Sequence, residues 1–219
     1  CVASIIPLGV KKIRITGGEP LLRRDLANLV AILSDYNIDL ALTTNGALLS
    51  KYARVLSKSG LNRVTVSLDA LDEETFQKMN DVDLSVQQVL DGIEMASLAG
   101  LDVKINCVVR RGINEHAILE LVEYFRHTPH VLRFIEFMDV GMTNAWQLKE
   151  VVSAKEIIST IVEHYPISEI KKSYAGEVAK RYMFDDGMGE IGIISSVSNP
   201  FCGDCNRARI SADGKLYTC

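Results

Sequence analysis

Five strand-like runs, at 12–16, 38–43, 63–68, 103–109 and 131–137, alternate with helical patterns along the first 165 residues. This alternation constrains the fold most, because strand–helix–strand repeats build βαβ units around a parallel sheet. Helical patterns fit 25–35, 47–59, 73–80, 85–99 and 114–127, and Val2 to Leu8 also reads as a helix. The segment 85–99 carries Val86, Val89, Leu90, Ile93 and Ala96 at helical spacing. Ser85-x-x-Gln88 is a capping box at its start, Gly100 suits its end, and Ser153-x-x-Glu156 opens a further helix in the same way. After about residue 165 the pattern turns to paired strands. Runs 177–184 and 190–197 straddle Asp185-Asp186-Gly187, and runs 207–211 and 215–218 flank Asp213-Gly214, a two-residue hairpin signal. That turn would set Cys219 opposite Ala208. The expected class is α/β, with a β/α part over 1–165 and a β-rich extension over 166–219.

Buried parallel strands usually read as continuous apolar runs, and these do not. Side chains alternate faces along a strand. Lys12, Arg14 and Thr16 therefore share one face against Ile13 and Ile15. Thr65 and Ser67 oppose Val64, Val66 and Leu68, and Lys104 and Asn106 oppose Val103, Ile105 and Cys107. The apolar faces are expected to meet the helices. The polar faces would then line a cavity with cationic walls, suited to an anion; the alternative is a solvent-exposed sheet face.

Lys and Arg total 24 against 28 Asp and Glu, a net charge of −4, which argues against general nucleic-acid binding while allowing a local cationic pocket. Apolar residues make up 47% of the 219, enough for a sizeable core, yet no run approaches a membrane span. The five cysteines are Cys1, Cys107, Cys202, Cys205 and Cys219. An odd count without a visible signal peptide reads as intracellular thiols and metal ligands, and the expected compartment is the cytoplasm. The chain has no initiator methionine, begins within a helical pattern and ends on a candidate ligand, so it reads as a fragment of a longer protein.

Two motifs carry chemistry. Thr16-Gly17-Gly18-Glu19-Pro20-Leu21 follows the first strand, where glycines let a ligand approach the backbone closely, and ligands of β/α folds bind at the carboxyl ends of strands. Pro20 and Asp25 suit the start of the next helix. At the other end, Cys202-x2-Cys205-x13-Cys219 offers three thiolates. Spacing alone leaves zinc and an iron–sulfur cluster both open: zinc wants four ligands, and His116, His127, His130 and His164 lie far upstream. Arg207 and Arg209, two apart on an expected strand, suit phosphate or substrate orientation beside a metal. Cys107 shares an apolar face and reads as core; the pairs Arg23-Arg24, Arg110-Arg111 and Lys171-Lys172 read as surface charge, and Trp146 carries no functional signal.

Six stretches together resemble the GTP 3′,8-cyclases (molybdenum cofactor biosynthesis protein A), a family of radical S-adenosylmethionine (SAM) enzymes. They are residues 10–23, Leu42-Thr-Thr-Asn-Gly46, Val66-Ser-Leu-Asp69, Val103-Lys-Ile-Asn106, Arg133-Phe-Ile-Glu-Phe-Met-Asp-Val-Gly141 and 201–214. Gly-Gly-Glu-Pro alone would mark only the superfamily; the Arg-Phe-Ile-Glu run and the C-terminal Cys-x2-Cys-x-Arg-x-Arg-x9-Cys spacing are narrower.

The resemblance implies a partial (β/α)6 radical-SAM barrel with a small C-terminal β-rich extension carrying a cysteine cluster. It implies a lyase that converts GTP to 3′,8-cyclo-7,8-dihydro-GTP. The cofactors would be SAM and two [4Fe–4S] clusters. The SAM-cleaving cluster uses a Cys-x3-Cys-x2-Cys motif that this sequence does not contain; its place, and a first barrel strand, would lie upstream of Cys1. The second would take Cys202, Cys205 and Cys219, with its open iron on guanine. Gly17, Gly18 and Glu19 would hold the methionine end of SAM, and Thr43, Ser67, Asn106 and Met138 the rest. Lys12, Arg14, Lys104 and Arg133 would contact GTP, chiefly its phosphates, with Arg207 and Arg209 near the substrate. No side chain is expected to be catalytic, since the radical arises at the first cluster, and this stretch by itself is expected not to turn over GTP. Expected partners are GTP, a reductant protein and the downstream cyclic pyranopterin monophosphate synthase, with room for a homodimer and without nucleic acid or membrane. The alternatives are another radical-SAM enzyme with an auxiliary cluster, such as a peptide-modifying one, and a non-catalytic zinc-ribbon β/α binding module.

Overall fold

The computed structural model describes residues 2–80, 83–138, 146–174, 176–200 and 205–218. The chain forms two compact units, Cys1–Leu68 with Asp83–Ile105, and Asp69–Val82 with Asn106–Cys219.

The first unit contains α1 (Val2–Ile5), β1 (Lys12–Ile15), α2 (Leu26–Ser34), β2 (Asp39–Thr44), α3 (Leu49–Lys58), β3 (Arg63–Ser67) and α5 (Val86–Leu98). Strands β1, β2 and β3 are parallel neighbours, as the alternation of strand and helix requires. Their apolar faces are built from Leu40, Leu42, Val64 and Val66, all fully buried. Helix α5 packs on α3, and the approach is close enough that a Cβ on Gly92 would sit 2.9 Å from the Gly46 carbonyl. The capping box of α5 is present, with the Ser85 hydroxyl and the Gln88 side chain each meeting the other's backbone. The expected helix over residues 2–8 is divided instead: α1 gives way to a 3-10 turn, Ile6–Leu8, closed by Gly9 at φ +89°. Pro7 lacks the N–H that would extend the α-helical ladder. Pro20 likewise opens a separate 3-10 turn, Pro20–Leu22, and α2 starts only after Asp25.

Strand β4 (Asp102–Val109) runs from the first unit into the second, and its buried and half-buried residues alternate from Val103 to Val109. The second unit adds α4 (Glu73–Met79), α6 (Ala117–Phe125), β5 (Val131–Glu136), α7 (Ala154–Val162), β6 (Ile167–Ile170), β7 (Lys180–Phe184), β8 (Glu190–Ile194), β9 (Arg209–Ile210) and β10 (Leu216–Tyr217). Here β5 and β8 are parallel, and β8–β7 and β7–β6 are antiparallel. Strand β6, with its Ser-Glu centre, has no apolar alternation and gave no sequence signal. The β9–β10 hairpin differs from expectation by one residue. Ser211 N–H donates to the Lys215 carbonyl at 2.9 Å, and Gly214 takes φ +81°, so three residues form the loop and not two. Tyr217 therefore faces Arg209 and not Ile210. Cys219, whose placement opposite Ala208 rested on the two-residue turn, lies outside the described residues.

Two buried carboxylates organise the second unit. Asp69 accepts from Val108 N–H at 2.7 Å, while its carbonyl accepts from the Asn114 amide at 2.9 Å. Asn114 is fully buried; it also donates to the Val108 carbonyl and accepts from Arg110 N–H. A side chain so committed to backbone groups holds a loop, which explains why α6 begins at Ala117 and not at 114. Burial pushes the Asp69 carboxyl up to about 6. Burial, with Asp69 adding to it, also raises the Cys107 thiol, which is in the core as expected.

Glu136, at the end of β5, is wholly buried. Its carboxylate accepts from Ala154 N–H at 2.6 Å and from Val197 and Ser198 N–H at 2.7 Å each, and from the Ser198 hydroxyl. Burial alone would raise its pKa; the bonds from Ser198, Ala154 and Val197 outweigh burial and hold it below the usual carboxylate value. Through it, β5 is tied to the first turn of α7 and to the turn after β8.

Two outcomes follow from these carboxylates. Asp69 binds a proton more tightly folded than unfolded, so its contribution to stability is present below pH 4 and is lost as pH rises through about 6. Asp69→Asn should flatten the fall in unfolding free energy between pH 4 and 7 by about 2–3 kcal/mol relative to wild type, read from denaturant titrations. Glu136→Gln places an amide donor against backbone donors and should cost about 3 kcal/mol at pH 7, read from the shift in denaturation midpoint.

Candidate functional site

In the first unit the site is assembled at the loop after β1 and along one face of β1–β3. Gly17 takes φ +149°, and a Cβ built at either Gly17 or Gly18 would meet nothing within 4 Å, so the loop presents open backbone. The loop is held by Glu19. One carboxylate oxygen accepts from Leu21 N–H at 3.0 Å and from the Thr44 hydroxyl at 2.7 Å; the other accepts from Asn45 N–H at 2.8 Å. Glu19 thus ties the glycine turn to the carboxyl end of β2. The family resemblance implied Glu19 as a ligand contact; its part in bracing the loop required the neighbouring strand to be seen.

Burial alternates along β4, while on β2 and β3 the polar-face residues Ala41 and Thr65 are fully buried too. Arg14 donates to the Thr43 hydroxyl at 3.2 Å, and Lys12 lies 3.3 Å from Asp39. Lys104 is half-buried between the buried Val103 and Ile105, and Ser67 is half-buried at the end of β3. Along the strands, cations occupy the amino-terminal half of this face, while Thr43 and Ser67 occupy the carboxyl end. The face can accept a polyanion low on the strands and a polar ligand above.

In the second unit, Asn106 is half-buried, and its Oδ1 is a buried acceptor without a hydrogen-bond partner. Met138 is exposed beyond β5. Arg133 of β5 pairs with Gly192 of β8, where a Cβ would fall 2.8 Å from Arg133 Cγ. Gly192 therefore makes room for the arginine stem. The sequence reading passed over it, although a glycine inside the apolar run Glu-Ile-Gly-Ile-Ile is a signal of close approach. Arg110, expected as surface charge, pairs with Glu150 at 2.9 Å and lies 4.8 Å over the Phe137 ring, and Trp146 donates to the Phe137 carbonyl.

Of the cysteine triad, Cys205 is described, exposed and unbonded to another cysteine; Cys202 and Cys219 lie outside the described residues. Arg207 Nε donates to Cys205 Sγ at 3.4 Å, and this bond, with the Arg209 charge nearby, lowers the thiol pKa. Both arginines are exposed, and Arg207 precedes β9 where a strand position was expected. A thiol biased toward thiolate is a competent soft-metal ligand.

Residues 2–125 match the Radical SAM superfamily, and residues 130–219 match the family described as Molybdenum Cofactor Synthesis C. The chain is 53% identical over its whole length to a protein of Xanthomonas axonopodis pv. citri named GTP 3′,8-cyclase, and 51% identical over 99% of its length to one of Acidothermus cellulolyticus with the same name. It spans 66% and 61% of the length of those two proteins. Its backbone is similar to the crystal structure of Streptococcus suis SuiB, with a TM-score of 0.72 over all of this chain and 52% of that one at 16% identity, a likeness of fold. The α/β architecture and the superfamily match over more than half of the residues agree: the chain belongs to the radical SAM superfamily.

Proposed function

We propose that the protein is a GTP 3′,8-cyclase, a radical SAM lyase of molybdenum cofactor biosynthesis. The observation that carries this reading is the identity above 50%, over essentially all of the chain, to proteins of that name.

The residues present suit the cofactors such a reaction needs. The open backbone at Gly17 and Gly18 suits the close approach of a ligand such as SAM, and the unpartnered Asn106 Oδ1 by itself suits an amine or hydroxyl donor. Gly17, Gly18, Glu19, Thr43, Ser67, Asn106 and Met138 would hold it. Cys202, Cys205 and Cys219 would hold a [4Fe–4S] cluster, with the lowered Cys205 thiol consistent with ligation. SAM with a reduced iron–sulfur cluster supplies hydrogen-atom abstraction from a substrate carbon.

The side chains bind, orient and exclude water. Glu19 fixes the glycine loop, so its backbone N–H and carbonyl groups are aimed before ligand arrives. Lys12, Arg14, Lys104 and Arg133 would carry the triphosphate of GTP, and Arg207 and Arg209 would orient the substrate beside the cluster. Lys12 and Arg14 on one face of β1 suit a triphosphate, whose negative charges are dense and fixed, better than an ordinary peptide chain. The cytoplasm, a reductant protein and the downstream cyclic pyranopterin monophosphate synthase complete the proposed setting. Among the described residues no helix is long and apolar enough to cross a membrane.

Equilibrium binding of GTP tests the reading. Arg14→Ala should weaken GTP binding by about 1.5–3 kcal/mol, the worth of a hydrogen bond to a charged group, while leaving SAM affinity within twofold. An unchanged GTP affinity would count against it.

A further inference from the structure

Arg63, the first residue of β3, is in register with Ala41 of β2, and Ala41 is in register with Arg14 of β1. In-register residues of parallel strands project from the same face, with strands about 4.8 Å apart. Arg14 and Arg63 therefore flank the small side chain of Ala41, which is itself fully buried. Two residues lower on β2, Asp39 places one oxygen 3.3 Å from Lys12 Nζ and the other 2.9 Å from Arg63 Nη2. The polar face of these three strands thus brings Lys12 and Arg63 onto one carboxylate, with Arg14 two residues further along β1 from Lys12.

That carboxylate satisfies Arg63 poorly. The Arg63 contact is short but lacks hydrogen-bond alignment: Asp39 Oδ1 is buried with no hydrogen-bond partner, and so is Arg63 Nε. A guanidinium carries five donors in a fixed fork, and a buried donor left without an acceptor costs free energy. An acceptor-rich anion would supply the acceptor that Asp39 does not give Arg63 Nε.

We infer that Arg63 is a further phosphate-binding residue of this protein, and that Asp39 is the internal counter-ion that a polyphosphate chain displaces from Lys12 and Arg63. The inference rests on the reading of Lys12 and Arg14 as triphosphate contacts and extends it to a residue that resemblance did not point to. It also gives Asp39 a role opposite in sign to that of its neighbours: it holds the cations in place without ligand and competes with the ligand for them.

The experiment is equilibrium binding of inorganic tripolyphosphate, GTP and guanosine to the full-length protein and to Arg63→Ala, Asp39→Asn and Arg14→Ala variants, each with its circular dichroism spectrum. Arg63→Ala should weaken tripolyphosphate and GTP at least about tenfold, as expected for a lost charge-assisted bond, with guanosine affinity unchanged. A general loss of structure would lower all three together. Asp39→Asn should tighten tripolyphosphate about threefold or more, because it removes a competing negative charge; it keeps the inference testable even where Arg63→Ala folds poorly. Wild-type GTP affinity in Arg63→Ala, or weaker tripolyphosphate binding in Asp39→Asn, would overturn the inference. Unchanged affinity in Arg14→Ala as well would overturn the underlying reading of the site.

Discussion

The parallel register of β1, β2 and β3 is the constraint on which the first unit depends. Lys12 opposite Asp39, and Arg14 opposite Ala41 opposite Arg63, put one set of side chains on a common face and the other set on its reverse. A slip of one residue would exchange the two sets. Leu40, Leu42, Val64 and Val66 would then leave the core, so burial of those four residues also fixes where the cations stand. The position of the cations is a consequence of that register, and Ala41 and Thr65 on the same face are as buried as the apolar set.

Carboxylates then do three different jobs, each set by surroundings. Glu19 spends both oxygens on the backbone and hydroxyl groups of its own chain and shapes the glycine loop. Glu136, fully buried, is held ionised by backbone N–H groups and joins β5 to α7 and the turn after β8. Asp69, with a single backbone N–H on its carboxylate, is pushed up to about 6. The number of donors facing each group decides between these outcomes.

Much of this was legible in the sequence because it rests on local rules. The five strands of the β/α pattern and the two capping boxes lie where period and cap residues put them. The alternation that separates Lys104 and Asn106 from Val103, Ile105 and Cys107 is likewise a property of any strand. What was not legible depends on partners distant in sequence. Strand β6 has no pattern of its own and exists because β7 offers an edge. The three-residue turn at Ala212–Gly214 is decided by Ser211, whose backbone and hydroxyl both engage Lys215. Arg63 carries no signal of its own in the sequence; its place beside Ala41 and Arg14 follows from the register. Gly192 gave a local signal, but its meaning needed Arg133 across the ladder.

The functional reading joins a superfamily match, relatives that match essentially all of this chain, and cations on the face of β1 suited to a triphosphate. Its central claim is that the substrate is a guanine nucleotide from which a ribose hydrogen is removed. GTP deuterated at C3′ addresses this directly, given to the full-length, anaerobically reconstituted protein with SAM and reductant. The expected result is 5′-deoxyadenosine carrying one deuterium, formed together with 3′,8-cyclo-7,8-dihydro-GTP and dependent on GTP. Unlabelled 5′-deoxyadenosine formed at the same rate with and without GTP, and no cyclised nucleotide, would contradict it.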